Sequence, residues 1–469
     1  MTSSKTALSA LPPVDRVLDD PGVSGLADRC DPRVLTGLVR DALAALREDL
    51  LEGRAPADRP KLIELAVAGV REGLDRKLAP RLGAVVNATG IVLHTNLGRA
   101  PLAPGAVRRI AETAAGYCGL EIDLETGGRG SRHRIVEELL CELTGAEAAA
   151  VVNNNAAAVL ITLNSLALGR EVVVSRGQLI EIGGSFRLPD VMERSGAVPV
   201  EVGTTNRTHL SDYDAAISER TGLLLDAHTS NFRVLGFTAS VPLEELAALG
   251  RRQGLPVARD LGGGALVDLA ELGLPAEPLV ADSVAAGADV VTFSGDKVLG
   301  GPQAGLIVGR RESVDRIRTN PLMRALRCGK LTYAALEATL RLYLDRSRLL
   351  AEHPVLSRLT VPVATLKRRG GRLRGRLADL REAGWLIEVI DSRAQAGSGS
   401  LPLEEIPSAA LAVWPPALPV EELAARLRRH DPPVLGYVRG DRLHLDLRTV
   451  AAAEIAVLEV ALRRASVPP

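Results

Sequence analysis

From about residue 84 onward, short apolar segments alternate with amphipathic stretches, and this alternation constrains the fold more than any other feature of the chain. The segments "EAAAVV", "REVVVSRG", "GLLLDAHT", "LPVARDLGGG" and "ADVVTFSGDK" have the pattern of buried strands. Strands separated by helices form βαβ units, which build a mostly parallel sheet covered on both faces. Because ligands of such sheets bind at the carboxyl ends of the strands, we expect the functional site at that edge.

Two regions of different character flank this core. The first 80 or so residues contain "RVLTGLVRDALAALREDLLEG" and "RPKLIELAVAGVREGLDRKLAP", whose apolar residues recur at helical spacing, and no convincing strand. The last region resembles a small α/β domain and includes a hairpin, "VLGYVRGDRLHLDLR", that turns at Gly440 and Asp441. The sequence therefore predicts a helical module over 1–83, a large α/β domain over 84–345 and a small one over 346–469. Within the large domain, Ser131 is the predicted N-cap of the helix in "SRHRIVEELLCELTGA".

Composition excludes several classes of protein. The four cysteines of this 469-residue chain are scattered without a C-x-x-C pair, which argues against a disulfide framework or a metal site and favours a reducing compartment. No apolar run approaches the roughly 18 residues of a membrane span, and the first residues lack the apolar core of a signal peptide. Lys+Arg and Asp+Glu both total 57, so net charge gives no sign of a nucleic-acid partner, and a polyanion would have to bind to a local basic patch. We expect no DNA partner. We expect a cytoplasmic protein without a membrane contact.

Lys297 lies in "SGDKVLGGPQAG", directly after the apolar strand "ADVVTF". It could bind phosphate, lie on the surface or act as a nucleophile that carries a cofactor. A phosphate-binding P-loop places its lysine after the glycines, whereas Lys297 precedes them. A position at the carboxyl end of a strand in an α/β sheet argues against a surface lysine. The remaining interpretation is a lysine that forms a Schiff base with pyridoxal phosphate.

Other residues fit that cofactor. Asp260, 37 residues earlier in "ARDLGGG", would hold the pyridine nitrogen protonated, although it could also cap a loop. The turn in "VVNNNAAAVL" precedes a helix whose free N–H groups suit a phosphate, although asparagine turns are also common caps. Further candidates at strand ends are less specific, and a structural role is about as plausible for Gln178 and His228. The predicted cofactor-binding residues are Lys297, Asp260, Asn154, Asn155, Ala156, Gln178, His228 and Ser294.

The chain resembles the bacterial selenocysteine synthases, the L-seryl-tRNA(Sec) selenium transferases. The resemblance extends nearly end to end and rests on specific blocks in the same order. They include "LPPVDRVL", "NATGIVLHTNLGRAPL", "VVNNNAAAVL", "EVVVSRGQLIEIGGSFRLPDVM", "EVGTTNRTHLSDY", "HTSNFRVLGFT", "FSGDKVLGGPQAG" and "RALRCGKLTYAALEATLRLYL".

The resemblance implies a pyridoxal-phosphate transferase of fold type I that forms a homo-oligomer, commonly a decamer. It implies that Lys297 carries the cofactor, that Asp296 takes part in catalysis, and that Arg99, Arg324 and Arg327 hold selenophosphate, the selenium donor. Guanidinium groups suit this role because they bind oxyanions in a bidentate way.

The implied reaction converts L-seryl-tRNA(Sec) to L-selenocysteinyl-tRNA(Sec) by β-replacement of the serine hydroxyl through an aminoacrylyl intermediate. The helical module would bind the tRNA. Two alternatives are a related pyridoxal-phosphate lyase that acts on a small amino acid without tRNA, and a tRNA-binding protein without catalysis.

The chain departs from the family pattern at two places. It has Gly263 and Ala265 where the family has serines, and Gly329 where the family has an aspartate. The first change removes hydroxyls near the expected cofactor, and the second removes a charge near the donor arginines.

Overall fold

The computed structural model describes residues 8–183, 186–401 and 404–467. The chain forms two compact units, an N-terminal unit over 1–84 and a main unit over 85–469.

Among the described residues of the N-terminal unit, helices are the only regular secondary structure, and turns or irregular segments join them. Asp31 and Asp58 begin its two long helices by accepting hydrogen bonds from the backbone N–H groups of Arg33 (2.8 Å) and Lys61 (3.3 Å). Leucines and valines on one face of each long helix form a core of their own. The helices are α1 (Val14–Leu18), α2 (Pro21–Ser24), α3 (Pro32–Leu51) and α4 (Arg59–Leu78), with a 3₁₀ turn at Ala27–Arg29.

The main unit contains a seven-stranded sheet in the spatial order β2-β10-β9-β8-β7-β3-β6. Strand β10 is antiparallel to both of its neighbours, and the other neighbouring pairs are parallel. The sheet consists of β2 (Ala148–Val152), β3 (Glu171–Ser175), β6 (Val198–Val202), β7 (Thr221–Ala227), β8 (Val257–Gly262), β9 (Val290–Ser294) and β10 (Gly305–Gly309).

Apolar clusters lie on both faces of this sheet, which explains why the strands have continuous apolar sequences. The helices of this part are α5 (Pro104–Ala114), α6 (Arg134–Thr144), α7 (Asn155–Ala167), α8 (Leu188–Arg194), α9 (Leu210–Ala216), α10 (Leu243–Gln253), α11 (Val280–Ala285), α12 (Arg311–Thr319), α13 (Met323–Leu326) and α14 (Lys330–Leu342). Short 3₁₀ turns occur at Thr95–Leu97, Arg176–Gln178 and Ala270–Leu272, and a two-residue ladder joins β4 (Glu181–Ile182) to β5 (Phe186–Arg187).

A four-stranded antiparallel sheet in the order β11-β12-β15-β14 follows. The predicted hairpin is confirmed, since β14 and β15 pair around Gly440 and Asp441, both with positive φ. The strands are β11 (Leu386–Ala394), β12 (Ile406–Trp414), β13 (Val434–Leu435), β14 (Tyr437–Arg439) and β15 (Arg442–Asp446). The helices are α15 (Arg346–Glu352), α16 (Pro354–Thr360), α17 (Val363–Arg376), α18 (Ala378–Glu382), α19 (Val420–Arg428) and α20 (Ile455–Ser466), and a 3₁₀ turn lies at Ala452–Glu454.

Two local features differ from expectation or add to it. The N-cap prediction at Ser131 is wrong, because α6 begins at Arg134 with His133 at the cap position, and the Ser131 carbonyl accepts from the Arg134 N–H instead. Strand β1 (Val86–Asn87) pairs in parallel with β13, so the first segment of the main unit joins its C-terminal part. Among the described residues, no helix has the length and apolar character needed to span a bilayer.

Candidate active site

Lys297 lies three residues beyond the end of β9, in the turn before β10, and is only 6% exposed. Its Nζ atom forms no hydrogen bond or ion pair with any residue that the structure describes. Burial lowers the pKa of the Lys297 ammonium, and the nearby Asp260 carboxylate opposes this effect. A buried amine with a lowered pKa is more often neutral and therefore nucleophilic.

Asp260 lies on β8, the strand next to β9, and is buried. Its Oδ1 atom accepts hydrogen bonds from Asn155 Nδ2 (2.8 Å), Thr292 Oγ1 (2.9 Å) and the Gly262 N–H (3.2 Å). Its Oδ2 atom has no partner among the described residues. Burial raises the pKa of Asp260, while the bonds from Asn155 and Thr292 lower it. One oxygen is thus fixed by the protein and the other remains available to a ligand.

The asparagine turn connects β2 to α7. Asn154 is the N-cap of α7, and its Oδ1 accepts from the Ala157 N–H at 2.8 Å. Helix geometry leaves the N–H groups of Asn155 and Ala156 without intrahelical acceptors, so they can bind an anion. The Asn155 Nδ2 atom donates to Asp260, and the buried Asn155 Oδ1 atom has no partner among the residues that the structure describes. The structure therefore links the turn directly to Asp260.

Gln178 and His228 lie at the ends of β3 and β7. Gln178 Nε2 donates to Asp226 Oδ1 at 2.6 Å, and Gln178 Oε1 accepts from the Ala227 N–H at 3.2 Å. The His228 N–H donates to the Asp260 carbonyl at 2.8 Å, and burial lowers the pKa of its ring. Ser294, the last residue of β9, is buried three residues before Lys297.

Arg99 and Asp296 form a partly buried ion pair with 2.9 Å between Nη1 and Oδ2. Arg99 has a positive φ of 60°, an uncommon conformation for a residue with a side chain, and such strain is concentrated at functional sites. Two predicted residues that are 197 positions apart are therefore in direct contact, and one of them is adjacent to Lys297.

Arg324 and Arg327 are exposed, and no described contact joins either of them to Arg99 or Lys297. The backbone near Arg327 does reach the asparagine turn, because the Leu326 carbonyl accepts from the Asn153 N–H at 2.9 Å. The Arg327 guanidinium lies 3.7 Å from Glu121, which also pairs with Arg132.

Sequence reasoning missed Thr292, the hydroxyl donor to Asp260. The sequence did contain a pattern that points to Thr292. It is two positions before the predicted site residue Ser294 on the same strand, so the two side chains share a face of the sheet. Arg448 is a possible carboxylate-binding arginine in an enzyme of free amino acids. Here it donates to the carbonyls of Arg358 and Leu359 at 2.8 Å and also to that of Pro407. These bonds leave Arg448 to a structural role.

The residues fit pyridoxal phosphate. Such a cofactor needs an amine, a carboxylate oxygen and N–H groups for its phosphate. The site offers the buried Lys297 amine and the Asp260 Oδ2 atom, neither of which has a partner among the described residues, and the free N–H groups at the start of α7. No group of three or more histidine, cysteine or carboxylate side chains with metal-binding geometry occurs among the described residues.

The sequence matches two family descriptions, "L-seryl-tRNA selenium transferase" over residues 85–451 and "Selenocysteine synthase N terminal" over 8–47. It is 51% identical to the L-seryl-tRNA(Sec) selenium transferase of Nitratidesulfovibrio vulgaris over 462 residues, which cover 97% of this chain and 98% of the relative. It is also 51% identical to that of Geobacter sulfurreducens over 461 residues, which cover 98% and 99%.

Among solved structures, D-glucosaminate-6-phosphate ammonia-lyase has a similar fold, with a TM-score of 0.56 and 20% identity over 84% of this chain and 98% of that one. The predicted fold type I architecture is confirmed. The matched residues and the near-complete coverage of both curated relatives establish that the chain belongs to the L-seryl-tRNA selenium transferase family.

Proposed function

We propose that this protein converts L-seryl-tRNA(Sec) to L-selenocysteinyl-tRNA(Sec), with pyridoxal phosphate as cofactor and selenophosphate as selenium donor. The observation that carries the proposal is the buried Lys297 amine near the Asp260 carboxylate. Neither this amine nor Asp260 Oδ2 has a hydrogen-bond partner among the described residues. The chain is similar to these transferases over nearly its whole length. When bound, the cofactor supplies a Schiff-base linkage and an electron sink for the substrate's α-carbon.

The chain's own residues provide the binding and proton-transfer groups. Lys297 would hold the cofactor, and its free amine would be the base that removes the α-proton. Asp260 Oδ2 holds the proton on the ring nitrogen, while Asn155 and Thr292 fix the position of Oδ1. The phosphate would be bound by the N-terminus of α7, with Asn154, Asn155 and Ala156, and by the Ser294 hydroxyl. Gln178 and His228 would contact the ring.

The selenium donor binds to arginines. Arg99 is held by its ion pair with Asp296, the residue before Lys297. We assign to Asp296 the role of orienting the lysine. Arg324 and Arg327 complete the site when the donor is bound. The N-terminal unit binds the tRNA, and the protein works in the cytoplasm as a homo-oligomer, which we propose to be a decamer.

The position of Arg448 favours an aminoacyl ester over a free amino acid as substrate. An enzyme of free amino acids needs a cation for the α-carboxylate, and both terminal nitrogens of Arg448, Nη1 and Nη2, donate to backbone carbonyls instead. A seryl ester has no carboxylate and therefore makes no such demand.

The decisive experiment supplies seryl-tRNA(Sec) and selenophosphate to the purified protein and measures selenocysteinyl-tRNA(Sec). We expect product from the wild type, and no product and no visible absorbance band of lysine-bound cofactor from Lys297→Ala. Turnover of free serine without any dependence on tRNA would instead identify the alternative function, a lyase of small amino acids.

A further inference from the structure

Three buried polar atoms near Lys297 have no hydrogen-bond partner among the residues that the structure describes, and the functions assigned above use none of them. They are Ser230 Oγ, Ser400 Oγ and Glu277 Oε1. The two serines are almost completely buried and Glu277 is 7% exposed. A buried polar atom without a hydrogen-bond partner costs free energy and is rare in native structures. Three such atoms near one site therefore indicate that a group of a bound ligand supplies their hydrogen bonds.

Gly262, the last residue of β8, and Gly263, the residue after it, relate the positions of these atoms to that of the lysine. A β-carbon on Gly262 would lie 3.3 Å from Ser230 Oγ and 3.7 Å from Lys297 Nζ. A β-carbon on Gly263 would lie 2.8 Å from Glu277 Oε1 and 3.4 Å from Ser400 Oγ. Since the two glycines are consecutive, the three atoms and the lysine amine surround one short stretch of backbone, two residues beyond Asp260.

The segment that contributes Ser400 has an unusual backbone. Residues 397, 398, 399 and 401 all have positive φ, and two of them are not glycines, Ser398 (51°) and Leu401 (49°). The Leu401 N–H donates to Glu277 Oε2 at 3.3 Å, so this segment holds one carboxyl oxygen and leaves the other free. Strain of this kind is a feature of functional sites.

Burial raises the pKa of Glu277, which favours the protonated carboxyl, although the hydrogen bond from the Leu401 N–H and the charges of Lys297 and Arg233 oppose this. Asp260 cannot provide a proton in the same way, because its Oδ1 already accepts three hydrogen bonds and its Oδ2 is needed by the cofactor. The reaction also demands a proton donor. A hydroxide ion is a poor leaving group, so the oxygen of serine must gain a proton as it departs.

We propose that Glu277 is the general acid that protonates the departing β-hydroxyl of the seryl group, with Ser230 and Ser400 as hydrogen-bond partners of that hydroxyl. The proposal rests on the proposed function. Lys297 takes the α-proton, and the C–H electron pair forms the bond between Cα and Cβ. The Cβ–O bond breaks, its electrons leave with the oxygen, and that oxygen takes the Glu277 proton to become water. The Lys297 ammonium then returns a proton to the Glu277 carboxylate, which restores both groups.

The test varies the leaving group. Chloride needs no proton to depart, so seryl-tRNA(Sec) and β-chloroalanyl-tRNA(Sec) are compared in single turnovers. Glu277→Gln, which keeps the shape of the side chain but cannot donate an acid proton, is expected to slow loss of water by about 10²-fold or more and loss of chloride by no more than a few-fold. Glu277→Asp is expected to retain part of the rate of water loss.

The matched control is Glu171→Gln. Glu171 is equally buried, at 7% exposed, but it lies at the start of β3 and is paired with Ser218 and Arg220. We expect this variant to leave the ratio of the two rates unchanged. Equal slowing of both substrates by Glu277→Gln, or an unchanged rate of water loss, would overturn the proposal.

A second measurement does not depend on turnover. The infrared C=O band of a protonated carboxyl should be present in the holoenzyme near neutral pH, absent from Glu277→Gln and retained in Glu171→Gln. A carboxylate at Glu277 under these conditions would overturn the assignment. If wild-type protein does not act on seryl-tRNA(Sec) at all, the proposed function fails. The same comparison of leaving groups is then made with free serine and β-chloroalanine, so the two failures remain distinct.

Discussion

Asp260 has three hydrogen bonds on Oδ1 and no described partner on Oδ2, and this asymmetry defines its role. Two of the donors, Asn155 and Thr292, belong to α7 and β9, which are more than 100 residues apart in sequence. The carboxylate is therefore held by the packing of α7 against the sheet, and its free oxygen is fixed in position before any ligand binds.

This asymmetry leads to a prediction for Asp260→Asn. A carboxamide retains the space and some of the hydrogen bonds but cannot hold a proton on the ring nitrogen. We expect the visible band of lysine-bound cofactor to persist and the single-turnover rate with seryl-tRNA(Sec) to fall by about 10²-fold. The control is Asp289→Asn, which alters a carboxylate at the opposite end of the sheet. An Asp260→Asn enzyme with the wild-type rate would remove Asp260 from the proposed mechanism.

The sequence was sufficient to predict the location of residues that lie at the end of a single strand. Lys297, Asp260, Ser294 and the asparagine turn all follow buried apolar strands, so the parallel sheet alone predicts that they share an edge. Glu277 and Ser400 were not predictable in this way. They lie on irregular segments more than 120 residues apart, and only tertiary packing brings them together at Gly263.

At the scale of elements, His353 connects a helix start to the turn after Lys297. Its Nδ1 accepts from the Leu356 N–H (3.1 Å) at the beginning of α16, and its Nε2 lies 2.9 Å from the Leu299 carbonyl and 3.1 Å from the Tyr343 hydroxyl. An imidazole that accepts at Nδ1 and donates at Nε2 must be neutral. Burial lowers the pKa of His353 from 6.5 to about 4.

The lowered pKa of His353 predicts a specific loss of stability in acid. His353 binds a proton near pH 6.5 in the unfolded chain but only near pH 4 in the folded chain. The stability that the neutral His353 contributes is therefore fully present above pH 6.5 and is lost as the pH falls towards 4. The shift corresponds to stability on the order of 3 kcal/mol. His353→Asn keeps a capping side chain without the titration, so its Tm should fall less than that of the wild type between pH 7 and pH 4.5. Parallel decreases in Tm would contradict this account.

Helix ends show the limit of prediction at this scale. The sequence predicted a helix in "SRHRIVEELLCELTGA" with Ser131 as its cap, and the helix begins at Arg134. His133 occupies the cap position because its Nδ1 lies close to the Val151 N–H (3.3 Å) and the Tyr333 hydroxyl (3.2 Å). Contacts with β2 and α14 therefore set the start of α6, three residues after the position that local cap propensity favoured.

At the scale of the whole molecule, the chain divides into two units that each have a core of their own. Leucines and valines of α3 and α4 form one core, and the sheet and its helices form the others. Every residue assigned above to the cofactor or to the proton transfers lies in the main unit. The N-terminal unit, whose residues 8–47 match a family description of their own, is then available for the tRNA.

This division predicts that the two activities can be separated. A chain that begins at Val85 keeps the core around Lys297, so it should fold, bind pyridoxal phosphate and show the visible band of the full-length protein. Its affinity for tRNA(Sec) should fall by at least about tenfold, because the truncated chain lacks the unit that we propose binds the tRNA. Phosphate contacts of such a unit supply much of the binding energy for nucleic acids. Fluorescence anisotropy with labelled tRNA(Sec) measures this change, with the full-length protein at the same ionic strength as the control. If residues 85–469 bind the tRNA as tightly as the full chain, the tRNA is held by the main unit, and the helical unit has another purpose.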